Sequence, residues 1–285
     1  MSVWGFDAIG TRWEVETAQE LPPDARDRVR ALIDDFDREW SRFRDDSVVS
    51  HLGEAGGSVP APADAVAMLD AYRQLDEATD GAVNPLVGVG LEALGYDAQV
   101  TLRPGQPAAA PADWQHRLSW SASRLSLDGP AVIDVGALGK GRLVDRVLTA
   151  LDDVSERIVV DASGDLVVRG GGIRVALEHP YDATKAIGVV EVRDQALCAS
   201  ATNRRAWGSG LHHVLDARTG LPVQTWAATW AIAPDAMTAD GIATALFFAG
   251  GAELAGRWDA EWVRMSTDGR VERSPGFAGD LFTRG

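Results

Sequence analysis

The chain has a single cysteine, Cys198, among its 285 residues. No disulfide can form within it, so stability has to come from a packed core. The thiol lies in an apolar run at residues 195–200 and reads as a small core residue. No apolar run approaches the ~18 residues that a membrane-spanning helix requires. The opening residues, MSVWGFDAIG, lack the basic-then-apolar pattern of an export signal and carry no lipid-accepting cysteine. They set the expectation of a cytoplasmic protein without a membrane span. Positive charge is also scarce: 27 Lys and Arg stand against 42 Asp and Glu, a net charge of −15. Such a balance argues against nucleic acid as a partner and against an electrostatic hold on anionic lipid. Any phosphate-bearing ligand would need local cations or a metal to offset it. There is no Gly-rich loop of the Walker type, no Gly-x-Gly-x-x-Gly fingerprint and no tandem repeat. No clean linker divides the chain, which is read as one domain over residues 1–285.

The apolar content, 46%, is ordinary for a globular protein. Residues 6–16 alternate as a strand, and residues 24–40 carry Val29, Leu32, Ile33, Phe36 and Trp40 on one helical face. Residues 41–52 read as polar turn, residues 63–79 as a second helix ended by Gly81, and residues 95–113 as a surface excursion. Strands are predicted over 120–127, 132–135, 157–168 with a break at Ser163-Gly164, 173–177, 186–192, 196–200, 212–215 and 229–233. Helices are predicted over 141–152, 237–249 and 253–257, and a closing hairpin around the turn at Thr267-Asp268-Gly269. Helices come early and midway while strands cluster late at hairpin spacing. This favours an α+β fold with largely antiparallel sheet.

Three segments carry chemistry. The first, IDVGALGKGRLVD from Ile133, places Asp134 at a strand end, then Gly136, Gly139 and Gly141 with Lys140, and then a helix. A carboxylate, a close-approaching backbone and a helix start suit a phosphate and metal site. The second, APDAMTADGIATALFFAG, sets Asp240 and Thr244 four apart on an otherwise apolar helix, hence on one face. Both are oxygen ligands suited to Mg²⁺; helix capping and a back-bond to a carbonyl are the alternative. The third, LHHVLDARTGLPV, carries His213 and Asp216 on a strand that ends in an Arg-Thr-Gly turn. His213 is a general base or phosphate contact, or a strand histidine bonded to backbone.

In this order the segments resemble the ApbE family, the flavin transferases that move FMN from FAD onto a Thr or Ser of a target protein. Ala8-Ile9-Gly10-Thr11-Arg12-Trp13-Glu14-Val15 resembles the family's Met-Gly-Thr-x-Trp-x-Val. Trp40-Ser41-Arg42-Phe43 with Ser47, Ser50 and Leu52 resembles its Phe-Ser-Arg-Phe stretch, and Gly81-Ala82-Val83-Asn84-Pro85 its Gly-Ala-Phe-Asp-Pro. IDVGALGKGRLVD, the segment at Asp161, SATNRR at Ser200 and the His213–Gly220 turn match further family elements. These seven elements in order, with the Asp240–Thr244 segment as the eighth, are specific.

The resemblance implies an ApbE-like, tunnelling-fold-like arrangement of antiparallel sheets flanked by helices, with FAD in a central cleft. It implies Mg²⁺ held by Asp240, Thr244 and the carbonyl of Ala137, on the FAD pyrophosphate. Ile9, Phe43, Ala82, Val83, Asn84, Asp134 and Lys140 would line or contact FAD, with Asp134 at the adenosine half. His213 would assist the acceptor hydroxyl. The partners implied are FAD and an acceptor protein carrying a Thr or Ser. The same site would serve an FAD pyrophosphatase giving FMN and AMP, or an FAD-binding protein without turnover. The chain departs from the family pattern at Ile9, Val83-Asn84, Ser163, Ala201, Asn203 and Ala217. At Ala201 a Cβ stands where the family has glycine, and crowding of a close backbone approach is expected there.

Overall fold

The first strand folds back on itself at Ile9-Gly10. In the computed structural model, which describes residues 1–282, Ser2–Ala8 and Thr11–Thr17 pair as an antiparallel hairpin. Both turn residues adopt left-handed φ, 44° and 73°, which suits the twist of a two-residue hairpin. The single strand expected over residues 6–16 is therefore two.

This hairpin begins an eight-stranded sheet that is antiparallel throughout. It continues through Ile158–Asp161, Asp165–Arg169, Ala196–Ala201, Trp226–Ala233, Glu261–Ser266 and Val271–Arg273. Alternation decides the two faces. Ile158, Val160, Cys198 and Ala231 point to one core, and Val159, Leu197, Trp230 and Ile232 to another. The second face is covered by a three-stranded sheet of Gly172–His179, Asp182–Arg193 and Asp280–Leu281, through Leu177, Ile187, Val190 and Val192.

The first face carries helices. These are α1 (Pro23–Trp40), α2 (Val48–Ala55), α3 (Ala65–Ala78), α4 (Gly88–Ala93), α5 (Trp114–Arg117), α6 (Gly139–Ala150), α7 (Ala236–Ala245) and α8 (Gly251–Arg257). Helix α1 buries Val29, Ile33, Phe36 and Trp40, as its period predicts. Helix α7 is buried on almost every side. Its first turn is capped by Asp235, which accepts from Thr238 N at 2.8 Å. Asp145 of α6 adds a second cap, accepting from Ala236 N and Met237 N at 2.8 and 2.9 Å. The fold is thus α+β with antiparallel sheets flanked by helices. No helix among the described residues is long and apolar enough to cross a membrane.

Other local expectations are corrected. Residues 41–52 are not turn throughout: Ser47 accepts from Ser50 N and starts α2. Residues 120–127 contain a hairpin, Leu118–Trp120 with Arg124–Leu127. Residues 132–135 run outside any sheet, because Asp134 N donates to Pro85 O in a loop contact rather than a ladder. His213 is not on a strand but between two short pairs, Leu211–His212 and Leu215–Asp216. Ala201 ends its strand opposite Ala228 with a backbone that does not require glycine, and packs against the second core. Ser163 does hold a left-handed φ of 57°, with its hydroxyl bonded to Arg12 O.

Gly141 sets how close α6 and α7 approach. A Cβ there would lie 2.1 Å from Ala236 O and 2.8 Å from Asp240 Cβ. Both are on α7 and neither can swing away. Gly141→Ala is expected to destabilise the protein by about 1–3 kcal/mol, read as a lower urea midpoint at unchanged slope. A midpoint equal to wild type would show that the helices are free to separate.

Candidate active site

A cavity of about 520 Å³ opens between the first face of the large sheet and the loops that precede α6. Ile9, Phe43, Ala82, Val83, Asn84, Asp134, Ala137, Lys140, His213 and Thr244 all line it. These are ten of the eleven residues picked out in the sequence. The eleventh, Asp240, is 5% exposed and lies one helical turn before Thr244 on α7.

The loop from Asp134 to Leu138 is held by Tyr72, a buried residue of α3. Its hydroxyl donates to Asp134 O at 3.1 Å and accepts from Ala137 N at 3.2 Å. Burial, and then the charge of Asp134, push the Tyr72 hydroxyl pKa well above its ordinary value. It therefore stays a neutral two-way hydrogen-bonding group. The Ala137 carbonyl is left to accept from Thr244 Oγ1 at 3.2 Å. Asp240 accepts from Gly141 N at 2.9 Å. Burial, reinforced by Asp165, pushes the Asp240 carboxyl well above the usual range, against the opposing pull of Lys140, the Gly141 N–H and Arg205. Gly136, Gly139 and Gly141 all have ordinary φ. Glycine serves here for close approach, not for left-handed turns.

Lys140 is not a solvated lysine. Its Nζ lies 2.9 Å from Asp165 Oδ2 and donates to Ala162 O at 3.2 Å. Burial lowers its pKa, but Asp165 and Asp240 outweigh that and hold it raised. The Asp134 carboxylate accepts from Arg42 Nε at 2.6 Å and from Gly136 N at 2.7 Å. Arg42 is itself buried and lies over the Phe43 ring, 4.2 Å from its centroid. Phe43 meets Tyr96 edge-on, and Tyr96 stacks on Trp207, so one wall is aromatic. Asn84 bridges Pro111 O and Leu86 N through its amide, which a carboxylate could not do at both ends.

The two adjacent histidines divide the alternatives raised for His213. His212 is the backbone-bonded one: its Nε2 pairs with Val223 O and its Nδ1 accepts from Val214 N. His213 faces the cavity, and its buried Nδ1 has no hydrogen-bond partner among the described residues. Burial, then the nearby charges of Arg205, His212 and Lys140, lower its pKa to about 3. Asp216 takes the modest role, ordering its turn through Arg218 N and the Arg218 side chain.

Arg42, Tyr72, Tyr96 and Arg205 line the cavity with no role assigned from sequence. Arg42 had a signal, since it stands inside a matched motif. Tyr72 had none beyond a polar group on an apolar helical face.

These features define an α+β protein with a half-open cavity lined by basic and acidic side chains and backed by a buried carboxylate. The family model described as ApbE family matches residues 9–262, and the chain belongs to that family. A curated relative, the FAD:protein FMN transferase of Haemophilus influenzae, is 25% identical over 79% of this chain and 72% of its own length. A second of that name, from Rhodobacter capsulatus, is 27% identical over 95% of this chain, which spans 56% of that relative. Among solved structures, the ApbE protein of Thermotoga maritima superposes with a TM-score of 0.83 at 22% identity, covering 96% of this chain and 97% of its own. The flavin transferase ApbE of Vibrio cholerae gives 0.77 at 20% identity, with 97% of each chain covered.

A His213 pKa of about 3 places its protonation far below neutrality. The unfolded chain takes up that proton near its ordinary value of 6.5, and the folded chain does not. This contribution is therefore intact above 6.5 and is lost as pH falls toward 3. In NMR, the His213 ring is expected not to titrate between about pH 8 and about pH 5, where an ordinary imidazole does. A midpoint near neutrality would contradict the burial described here.

Proposed function

We propose that this protein is an Mg²⁺-dependent FAD:protein FMN transferase. It moves FMN from FAD to a Thr or Ser hydroxyl of an acceptor protein and releases AMP. The observation that carries this reading is that ten residues implied by the resemblance, spread from Ile9 to Thr244 in sequence, line one cavity, with Asp240 buried beside it. The names of the relatives support it.

The donor set suits a hard divalent cation. The Asp240 carboxylate, the Thr244 hydroxyl and the Ala137 carbonyl are all oxygen, and the last two already meet at 3.2 Å. A carboxylate whose charge is disfavoured by burial gains from a cation beside it. Among the described residues no three His, Cys, Asp or Glu side chains converge as a metal centre. Phosphate oxygens and water would complete the shell, as Mg²⁺ favours. When bound, the ion neutralises pyrophosphate charge and polarises the bond that breaks.

The remaining chemistry belongs to the chain. Phe43 and Tyr96 offer aromatic surface to a planar ring. His213, a neutral imidazole on the cavity wall, accepts the hydrogen bond of the acceptor hydroxyl and holds its oxygen in line with the FMN phosphorus. The new O–P bond forms as the P–O bond to AMP breaks; the hydroxyl proton passes to His213, and AMP leaves with the electron pair.

The test is incubation with FAD and Mg²⁺, with and without a host extract as acceptor source, following AMP and protein-bound flavin fluorescence. AMP with flavin on protein is the expected result. AMP without acceptor would instead make the protein an FAD pyrophosphatase, and tight FAD without AMP a binding protein. Asp240→Ala is expected to lower Mg²⁺-dependent turnover about a hundredfold or more with the fold retained by circular dichroism. His213→Ala should lower kcat for transfer by about a hundredfold while FAD affinity stays within about threefold. Equal losses in both would reduce His213 to a binding residue.

A further inference from the structure

Four cationic side chains line the cavity: Arg42, Arg44, Lys140 and Arg205. Three are committed to carboxylates, Arg42 to Asp134, Arg44 to Asp46 and Lys140 to Asp165. Arg205 has neither an acidic partner nor a hydrogen-bond acceptor for its side chain among the described residues. Arg103, Arg117, Arg174, Arg257 and Arg273 are likewise without a side-chain partner among the described residues, but of these six arginines only Arg205 lines the cavity.

The local structure explains why Arg205 stays free. Asn203 Nδ2 donates to Pro180 O at 2.6 Å, and Arg204 Nη2 lies 3.0 Å from Glu178 Oε2. Both partners belong to the Gly172–His179 strand and the turn after it, on the far sheet. The segment is thereby anchored on that side, and of the tandem arginines only Arg205 reaches the cavity. Arg205 O also accepts from His213 N at 3.2 Å. The short pair Ala206–Trp207 with Leu211–His212 follows directly. Arg205 and His213 are thus facing residues at the open end of one hairpin, and both line the cavity.

We propose that Arg205 is a catalytic residue that binds the pyrophosphate of the dinucleotide and takes up the charge that develops on the AMP phosphate as it leaves. This rests on the transferase reading. The guanidinium stays protonated throughout and exchanges no proton. It accepts the negative charge that the breaking P–O bond delivers to AMP, through donors suited to a phosphate oxygen pair.

The test compares wild type, Arg205→Ala, Arg205→Lys and Arg204→Ala by calorimetric titration with FAD, ADP and riboflavin in the presence of Mg²⁺, and by kcat for AMP release. Arg205→Ala is expected to weaken FAD and ADP by about tenfold or more while riboflavin, which has no phosphate, stays within about twofold. Its kcat should fall at saturating FAD, and Arg205→Lys should recover part of both. Arg204→Ala should lower thermal stability and leave FAD affinity unchanged. Wild-type affinity for FAD and ADP in Arg205→Ala, or an equal loss for riboflavin, would overturn the assignment. Wild type that binds ADP but not FAD would overturn the transferase reading and leave the pyrophosphate contact standing.

Discussion

A carboxylate buried at the crossing of two helices is the constraint on which the rest of this structure turns. Asp240 is enclosed by α7, α6 and the large sheet, and its charge is opposed both by burial and by Asp165. An uncompensated buried charge is among the most destabilising features a core can hold. The surroundings answer it in part. Gly141 donates its N–H because it has no Cβ to keep α6 away. Lys140, the adjacent residue, brings a cation that is shared with Asp165. With both carboxylates ionised, two acids against one ammonium leave the group one positive charge short of neutrality. Thr244 and the Ala137 carbonyl stand on the side of that imbalance which opens to the cavity. The geometry of α6, the loop before it and the lysine it carries all follow from placing that one acid where solvent cannot reach it.

Charge is accordingly sorted by depth. The surface is acidic, and along α1 its arginines are tied to neighbouring carboxylates. The cavity wall carries arginine and lysine instead. A strongly negative protein repels a phosphate-bearing ligand at long range, but that field is screened within about 8 Å at physiological salt. What decides binding is the local arrangement. Here Arg42, Arg44 and Lys140 are matched by carboxylates and Arg205 is left over, in partly desolvated surroundings where a charge counts for more than it would on the surface.

The elements that local pattern controls were legible in the sequence. The burial stripe of α1, the strand break at Ser163-Gly164 and the terminal hairpin at residues 261–273 appear where periodicity and turn residues place them. Of the candidate site, the residue identities were legible because whole motifs occur in order. What could not be read was the pairing between distant segments. Tyr72 holds the Ala137 amide across 65 positions, and Arg42 meets Asp134 across 92. No spacing rule connects such residues, because the contact is made by the fold and not by an element. The loop at residues 132–135 fails for the same reason. Its apolar residues are buried like those of a strand, yet no neighbouring strand is available to pair with them.

The two faces of the Arg205–His213 pair bear on how a weak base can serve a transfer reaction. An imidazole with a pKa of about 3 holds a hydrogen bond well but draws a proton poorly. Burial is the largest cause of that low value, and Arg205, His212 and Lys140 add to it, with Asp134 opposing. A ligand whose phosphates sit against Arg205 and near Lys140 would cancel much of the cationic part. The part due to burial would remain or deepen as the ligand displaced water. The ligand would then raise the basicity of His213 only when its phosphates are seated. A flavin without phosphate, filling the same aromatic wall, would leave the ring as weak a base as before. On the proposed transferase reading, the basicity of His213 would follow the net charge that the seated phosphates and their counter-cation bring to the cavity.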